Sequence, residues 1–308
     1  MSWVERMQDA AVSKMPIIGA THSKAWLGVA SVGVSEFRMD HPYCSLGERL
    51  MHPLSCQSLF SMSDPVDTHP PVPTPNEPSS TIHLVGGEKG GVGKSLVARL
   101  LVHYLQDRRI PFHAFDADHS NGALRRFYPE VSTSIWMERH EELDRIIETA
   151  FAHRNHRILV DMAAQTHDLL LKWMSEVEMI AMVKEAGFSV RYWHVMDTGK
   201  DSVDLLKKLF DHFEGQLQYT IVLNQLRGDH FEIFEKSGVR QRAEALQAKF
   251  VSVRHLMDQV VQKIDASNAP FLFGKNPEHD NTGLGLVDRQ RVKIWLTQVC
   301  AQIDNVGI

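Results

Sequence analysis

The sequence predicts an α/β fold, with a mostly parallel β-sheet covered by helices on both faces, in a single main domain over residues 81–308. Three observations predict it. From residue 81 onward, short apolar runs alternate with amphipathic helical patterns, which is how a parallel sheet with crossover helices reads. The first apolar run leads through a glycine-rich loop directly into a helical pattern. Several later runs end in an acid or an amide, at the carboxyl ends of strands where open parallel sheets bind ligands.

The apolar runs place strands at 81–86, 111–116, 157–161, 190–196, 218–224 and 249–254. Helical periodicity covers 94–108, 139–153, 168–186, 200–214 and 229–248, and segments 257–266 and 284–303 close the chain. The helix after the first strand carries Leu96, Val97, Leu100, Leu101, Tyr104 and Leu105 on one stripe. In the last segment Ile294, Leu296, Val299 and Ile303 fall at roughly helical spacing without a basic face, so it reads as a packing helix.

The loop Gly86-Gly87-Glu88-Lys89-Gly90-Gly91-Val92-Gly93-Lys94-Ser95 carries the chemistry. Glycines let backbone N–H groups turn inward toward anionic oxygens, and the following helix N-terminus adds positive potential. Lys94 is placed to reach β- and γ-phosphates, and the Ser95 hydroxyl to complete a Mg²⁺ site. Glu88, Gly90, Gly91, Val92, Gly93, Lys94, Ser95 and Leu96 are therefore expected to contact a nucleotide. The general P-loop pattern G-x-x-x-x-G-K-[ST] fails at its first glycine, because Glu88 stands there. Lys89-Gly90-Gly91-x-Gly93-Lys94-Ser95 matches instead the deviant P-loop of the ParA/MinD family, which the chain resembles at this point. The resemblance implies an ATPase that dimerises face to face around two ATP molecules, with Lys89 crossing to the partner's phosphates. A solvated lysine on an exposed loop is the plainer alternative.

Three further strand ends complete the reading. Asp116 and Asp118 match the family's D-x-D motif after the second strand. By resemblance, Asp118 positions or activates the attacking water and Asp116 supports the magnesium shell; otherwise one of them caps the next helix. Arg157-Ile158-Leu159-Val160-Asp161 reads as a Walker B strand whose Asp161 holds Mg²⁺ through water. The residues after it, Met162 to His167, depart from the family, since many relatives carry a proline–glycine switch there. Asn224 ends the fifth run, where related ATPases set an amide against adenine; a turn-forming role is equally open. Asp197 and Ser202 read as a site rim or as caps of the helix that follows.

The 308 residues carry a formal net charge of −5, with 43% hydrophobic and 23% charged residues, which argues against a generally basic nucleic-acid-binding surface. No apolar run is long enough to span a bilayer. Cys44, Cys56 and Cys300 show no paired metal spacing, in keeping with a reducing cytoplasm. His153 and His156, three apart near a helix end, read as a solvated surface rather than zinc ligands. Trp173, Trp193 and Trp295 read as packing residues, and Lys207, Lys208, Arg289, Arg291 and Lys293 as wet helix faces, with DNA phosphate contact as the alternative. Residues 62–80 form a proline-rich linker, and 1–61 lack sustained periodicity. That extension is either a small appendage or an over-long reading frame ahead of a true start at Met62.

Together these features point to an ATP-dependent, homodimeric switch of the ParA/MinD type, using ATP and Mg²⁺ and acting with an unknown activator or cargo. Partition, mobilisation and positioning of a cellular machine are the roles such relatives take. A P-loop kinase or ligase of the dethiobiotin synthetase type shares the expected fold, and so does a nucleotide-binding module with negligible turnover. A nitrogenase iron-protein reductase needs two cysteines per subunit, and only Cys300 falls within the domain.

Overall fold

In the computed structural model, residues 80–87, 90–119, 122–271 and 282–308 are described. The expected extension at 1–61, nearly all of the 62–80 linker, and the loop residues Glu88 and Lys89 lie outside that set. Seven strands form one sheet: β1 (Thr81–Gly86), β2 (Phe112–Asp116), β3 (Ser132–Ser134), β4 (Arg157–Asp161), β5 (Ser189–Met196), β6 (Gln218–Asn224) and β7 (Lys249–Val253). Their order across the sheet is β3-β2-β4-β1-β5-β6-β7, and every pairing is parallel. β1 is central, flanked by β4 and β5, with Val85 opposite Asp161 and Gly86 opposite His194.

Alternation along the strands divides the core between the two faces. Ile82, Leu84, Ile158, Val160 and Tyr192 join one buried cluster with the helices His140–Ala152, His167–Glu176 and Lys200–Phe213. Val85, Leu159, Trp193, Val195 and Val222 join the other, against the helices Lys94–Asp107 and Leu286–Val306. Burial on both faces explains why these strands are near-continuous apolar runs. The Lys94–Asp107 helix buries Val97, Leu100, Leu101, Tyr104 and Leu105. At about 1.5–3 kcal/mol for each large side chain removed from water, this stripe fixes the helix start against the sheet.

Several expected elements change. The 168–186 pattern is two helices, His167–Glu176 and Met179–Glu185, because Glu178 is left-handed at φ 45°. The 229–248 pattern breaks likewise at Gly238, φ 75°, into Glu232–Lys236 and Val239–Ala245. The short strand β3 and the helix Ala123–Phe127 had no sequence signal, being too short to show a period. Ile294 is exposed, so the buried stripe of the last helix runs through Val292, Trp295, Leu296, Val299, Cys300 and Ile303 instead.

Polar groups inside the sheet are placed by specific bonds. Arg191 on β5 donates from Nη1 to the carbonyls of Val306 (3.1 Å) and Gly307 (3.2 Å), neutralising the negative end of the last helix. Burial lowers the Arg191 pKa to about 10, helped by the Arg157 charge. Trp193 Nε1 donates to His83 Nδ1 at 3.1 Å. His194 is fully buried, with Nε2 2.9 Å from the Ser202 carbonyl, so that nitrogen must carry the proton. Among the described residues its Nδ1 has no partner.

Burial lowers the His194 pKa to about 4, and burial also holds His83 well below its ordinary value. Between roughly pH 6.5 and 4 the unfolded chain therefore binds a proton that folded His194 refuses, so stability falls as pH falls, by about 1.4 kcal/mol per unit. Urea unfolding at pH 7 and pH 5 should show a loss of roughly 2 kcal/mol from this group. His194→Gln, which keeps a donor toward Ser202, should flatten that slope.

Candidate nucleotide-binding site

The glycine loop leaves the end of β1 and enters the Lys94–Asp107 helix, beside a cavity of about 410 Å³. Gly90, Gly91, Gly93, Lys94, Ser95 and Leu96 line it. Gly93 caps the helix in the left-handed region at φ 98°. A Cβ there would lie 2.1 Å from Asn224 Nδ2, so both conformation and space demand glycine. Gly91, at φ 78°, is crowded by Arg227, whose Nη2 would lie 2.8 Å from an added Cβ.

Asn224 is buried and lines the cavity, yet its amide is directed at the loop. Nδ2 donates to the Val92 carbonyl at 2.7 Å, and Oδ1 accepts from Leu226 N–H at 3.3 Å. The bond to Val92 gives Asn224 a positioning role for the loop, across 132 residues of sequence. The turn that follows it carries Arg227, a residue the sequence pattern did not single out. Its guanidinium pairs with Asp197 Oδ2 at 3.3 Å. Asp197 Oδ1 in turn accepts from Gly199 N–H (3.0 Å) and Ser202 Oγ (2.9 Å), so this strand end is a braced turn beside the loop.

The acids divide into two kinds. Asp116 accepts from the backbone N–H groups of Asp118 (3.0 Å, at Oδ1) and Arg125 (2.8 Å, at Oδ2). Both oxygens thus help to pin the turn between β2 and the Ala123–Phe127 helix. Burial raises its pKa, against the pull of those two backbone bonds. Asp118 is buried and lines the cavity.

Asp161 is different. It is fully buried at the end of β4, and neither carboxylate oxygen has a hydrogen-bond partner among the described residues, although the Ser95 hydroxyl stands near enough to favour its charged form. Burial, then the Asp116 charge, push its pKa up to about 8; Ser95 and Lys94 oppose them. Burial lowers the Lys94 pKa, while Asp161 and Asp118 draw it back up. A buried, unbonded carboxylate beside a hydroxyl is a donor set that fits a hard divalent cation such as Mg²⁺.

Beyond the loop, the cavity continues past Arg126, Arg254, Phe271 and Trp295. Arg99 forms part of this wall: its guanidinium stacks 3.4 Å above the Phe127 ring centre and pairs with Asp265 at 2.9 Å. These residues had no motif to announce them, because they come from separate helices and loops that only packing brings together. Ala164, in the segment after Asp161, also lines the cavity, and Gln165 beside it is left-handed at φ 62°. In this segment, which departs from the family pattern, Thr166 Oγ1 donates to the Ala163 carbonyl.

A glycine loop after the central strand of an all-parallel sheet, with acids ending its two neighbours on one side, decides the fold. The chain has an α/β P-loop fold built on a seven-stranded, all-parallel sheet. No protein-family model matches it. Protein MobD of Acidithiobacillus ferrooxidans is 27% identical over 192 residues, covering 60% of this chain and 82% of that protein. Among solved structures, the septum site-determining protein MinD of Pyrococcus horikoshii, complexed with Mg-ADP, is 13% identical. It covers 74% of this chain and 97% of its own, with a TM-score of 0.47. A nucleotide-binding protein of Archaeoglobus fulgidus in complex with ADP is 17% identical, covering 61% and 86%, with a TM-score of 0.41. Superpositions this loose add nothing to the fold, which rests on the chain's own topology and loop.

Two substitutions probe the P-loop geometry. Asn224→Ala should cost about 1–2 kcal/mol of stability by orphaning the Val92 carbonyl, and should weaken binding of a fluorescent ATP analogue about tenfold. Asp161→Asn should leave the nucleotide-free chain about equally stable, because burial pushes the carboxyl pKa to about 8 and the amide replaces a largely uncharged group. The same variant should lose most of the rise in melting temperature that Mg-ATP gives the parent protein.

Proposed function

We propose that this protein binds ATP with Mg²⁺, hydrolyses it slowly, and uses the cycle to switch between monomer and face-to-face dimer. One observation carries the reading: Lys94, Ser95 and Asp118 line one cavity with Gly90, Gly91 and Gly93, and the buried Asp161 carboxyl lies close enough to Lys94 and Ser95 for each to act on its charge. Lys94 neutralises the terminal phosphates, and its buried ammonium is worth more there than in water. Ser95 and Asp161 hold Mg²⁺, which would supply further neutralisation of phosphate charge. Asp118, buried at the cavity wall, orients the attacking water, while Asp116 holds the turn on which Asp118 sits. Lys89, outside the described residues, is assigned to the partner's phosphates across the dimer. Asn224 is assigned chiefly to holding the loop, with adenine contact as a secondary role.

Similarity to MobD supports a role in mobilisation. Lys207 pairs with Asp211 at 2.8 Å and Arg291 with Asp288 at 2.8 Å, so part of each basic set is already neutralised within its own helix, which favours the wet-face reading over DNA contact. Among the described residues, no helix is long and apolar enough to cross a membrane.

Light scattering after size exclusion tests the proposal on the full chain with ATP–Mg²⁺, ADP–Mg²⁺ and no nucleotide, beside Asp118→Ala. The expected result is an ATP-dependent dimer that Asp118→Ala traps and that Lys89→Ala weakens. A mass indifferent to nucleotide, in a protein shown to bind ATP, refutes the switch. Normal hydrolysis by Asp118→Ala refutes the catalytic assignment alone.

A further inference from the structure

At the amino ends of the strands, on the opposite edge of the sheet from the glycine loop, three histidines meet. His113 is the second residue of β2, His153 caps the end of the His140–Ala152 helix, and His156 precedes β4. Their possible ligand atoms all lie within 4.8 Å of one another. The backbone fixes this arrangement. His156 N–H donates to the His153 carbonyl at 2.9 Å, closing a turn that puts both rings on one side. Arg157 N–H donates to the Pro111 carbonyl at 2.8 Å, and Phe112 pairs with Arg157 in the sheet, so the turn is held beside the start of β2.

We propose that His113, His153 and His156 form a binding site for one divalent ion of the Zn²⁺ class, remote from the nucleotide. The ring centres stand 4.4, 4.8 and 5.0 Å apart. Three imidazoles around one tetrahedral ion, each bound at about 2.0–2.1 Å, place their ring centres roughly 5 Å apart and their nitrogens roughly 3.3 Å apart. The ring centres therefore already have the separation that the ion requires. Bringing the nitrogens together needs ring rotation about χ2, a broad torsion. Two nitrogens call for a partner: His113 Nε2 and His156 Nδ1 are buried and have none among the described residues. All three rings are half-buried, leaving a fourth position for water. Imidazole ligands select a borderline ion over Mg²⁺, which prefers oxygen, so the two ends of the sheet do not compete for one metal.

The pairing of His153 with His156 read from sequence as a solvated surface, because the third member lies forty residues away by number and only the parallel β2–β4 ladder brings it in. Bound there, an ion would tie the helix end and the β4 start to β2.

The test uses the full chain without a histidine tag, stripped with chelator and held in excess Mg²⁺ to occupy Asp161 and Ser95. Titration with Co²⁺ should give one equivalent bound and the intense visible absorption of a tetrahedral ion, which Zn²⁺ then displaces. His113→Gln and His156→Gln should each weaken uptake at least tenfold, and His212→Gln, on an exposed helix face, should leave it unchanged. Should one variant fail to fold by circular dichroism, His153→Gln, in the turn, carries the same expectation. No stoichiometric uptake, a spectrum without tetrahedral intensity, or uptake unaffected by the substitutions would overturn the site.

Discussion

The parallel pairing of β1 with β4 is the constraint on which the site depends. It sets Val85 opposite Asp161, so the carboxylate sits beside the point where the chain leaves the sheet to form the glycine loop. The same ladder continues to β2, where Asp116 stands opposite Asp161, and the strand ends one residue before the turn to Asp118. Parallel strands share one carboxyl edge, so residues far apart in the chain arrive at one rim without any contact between their own segments. A slip of one residue would turn Asp161 from the rim toward the other face.

Holding that register takes a well-filled core on both faces, and the helix after the loop belongs to it. Its buried stripe fixes where the N-terminus points, and Gly93 then turns left-handed because Asn224 fills the space where a side chain would project. Asn224 in turn is fixed by its place at the end of β6, two strands from β1. The loop is therefore braced from both sides of β1: acids come from β4 and β2, and an amide and an arginine come from β6 and its turn.

Electrostatics at this rim is one of incomplete neutralisation. Asp161 has no hydrogen-bond donor of its own among the described residues and lies near two other acids, with Lys94 as the nearby cation. Two other buried charges find partners within the chain, Arg99 in Asp265 and two aromatic rings, and Arg191 in helix carbonyls. Burial holds this carboxyl largely protonated near neutral pH, and a cation that completes it must displace that proton. At the other edge of the sheet, the same strand registry gathers three imidazoles instead of three acids.

The sequence by itself determined the alternation of strands and helices, six of the seven strands to within a residue at each end, and the glycine loop. These follow from local periodicity and from a short motif, both carried by neighbouring residues. It also marked Asp116, Asp118, Asp161 and Asn224, because each ends an apolar run. Which groups each of them meets was decided only by the tertiary structure. Asp116 is occupied by two backbone donors, Asp161 by none, and Asn224 by a carbonyl of the loop, and no spacing in the chain encodes those partners. Arg227 beside Gly91, the wall of Arg254, Phe271 and Trp295, and the meeting of His113 with His153 and His156 were likewise invisible. Their proximity comes from strand order across the sheet, a long-range property that residues close in sequence do not specify.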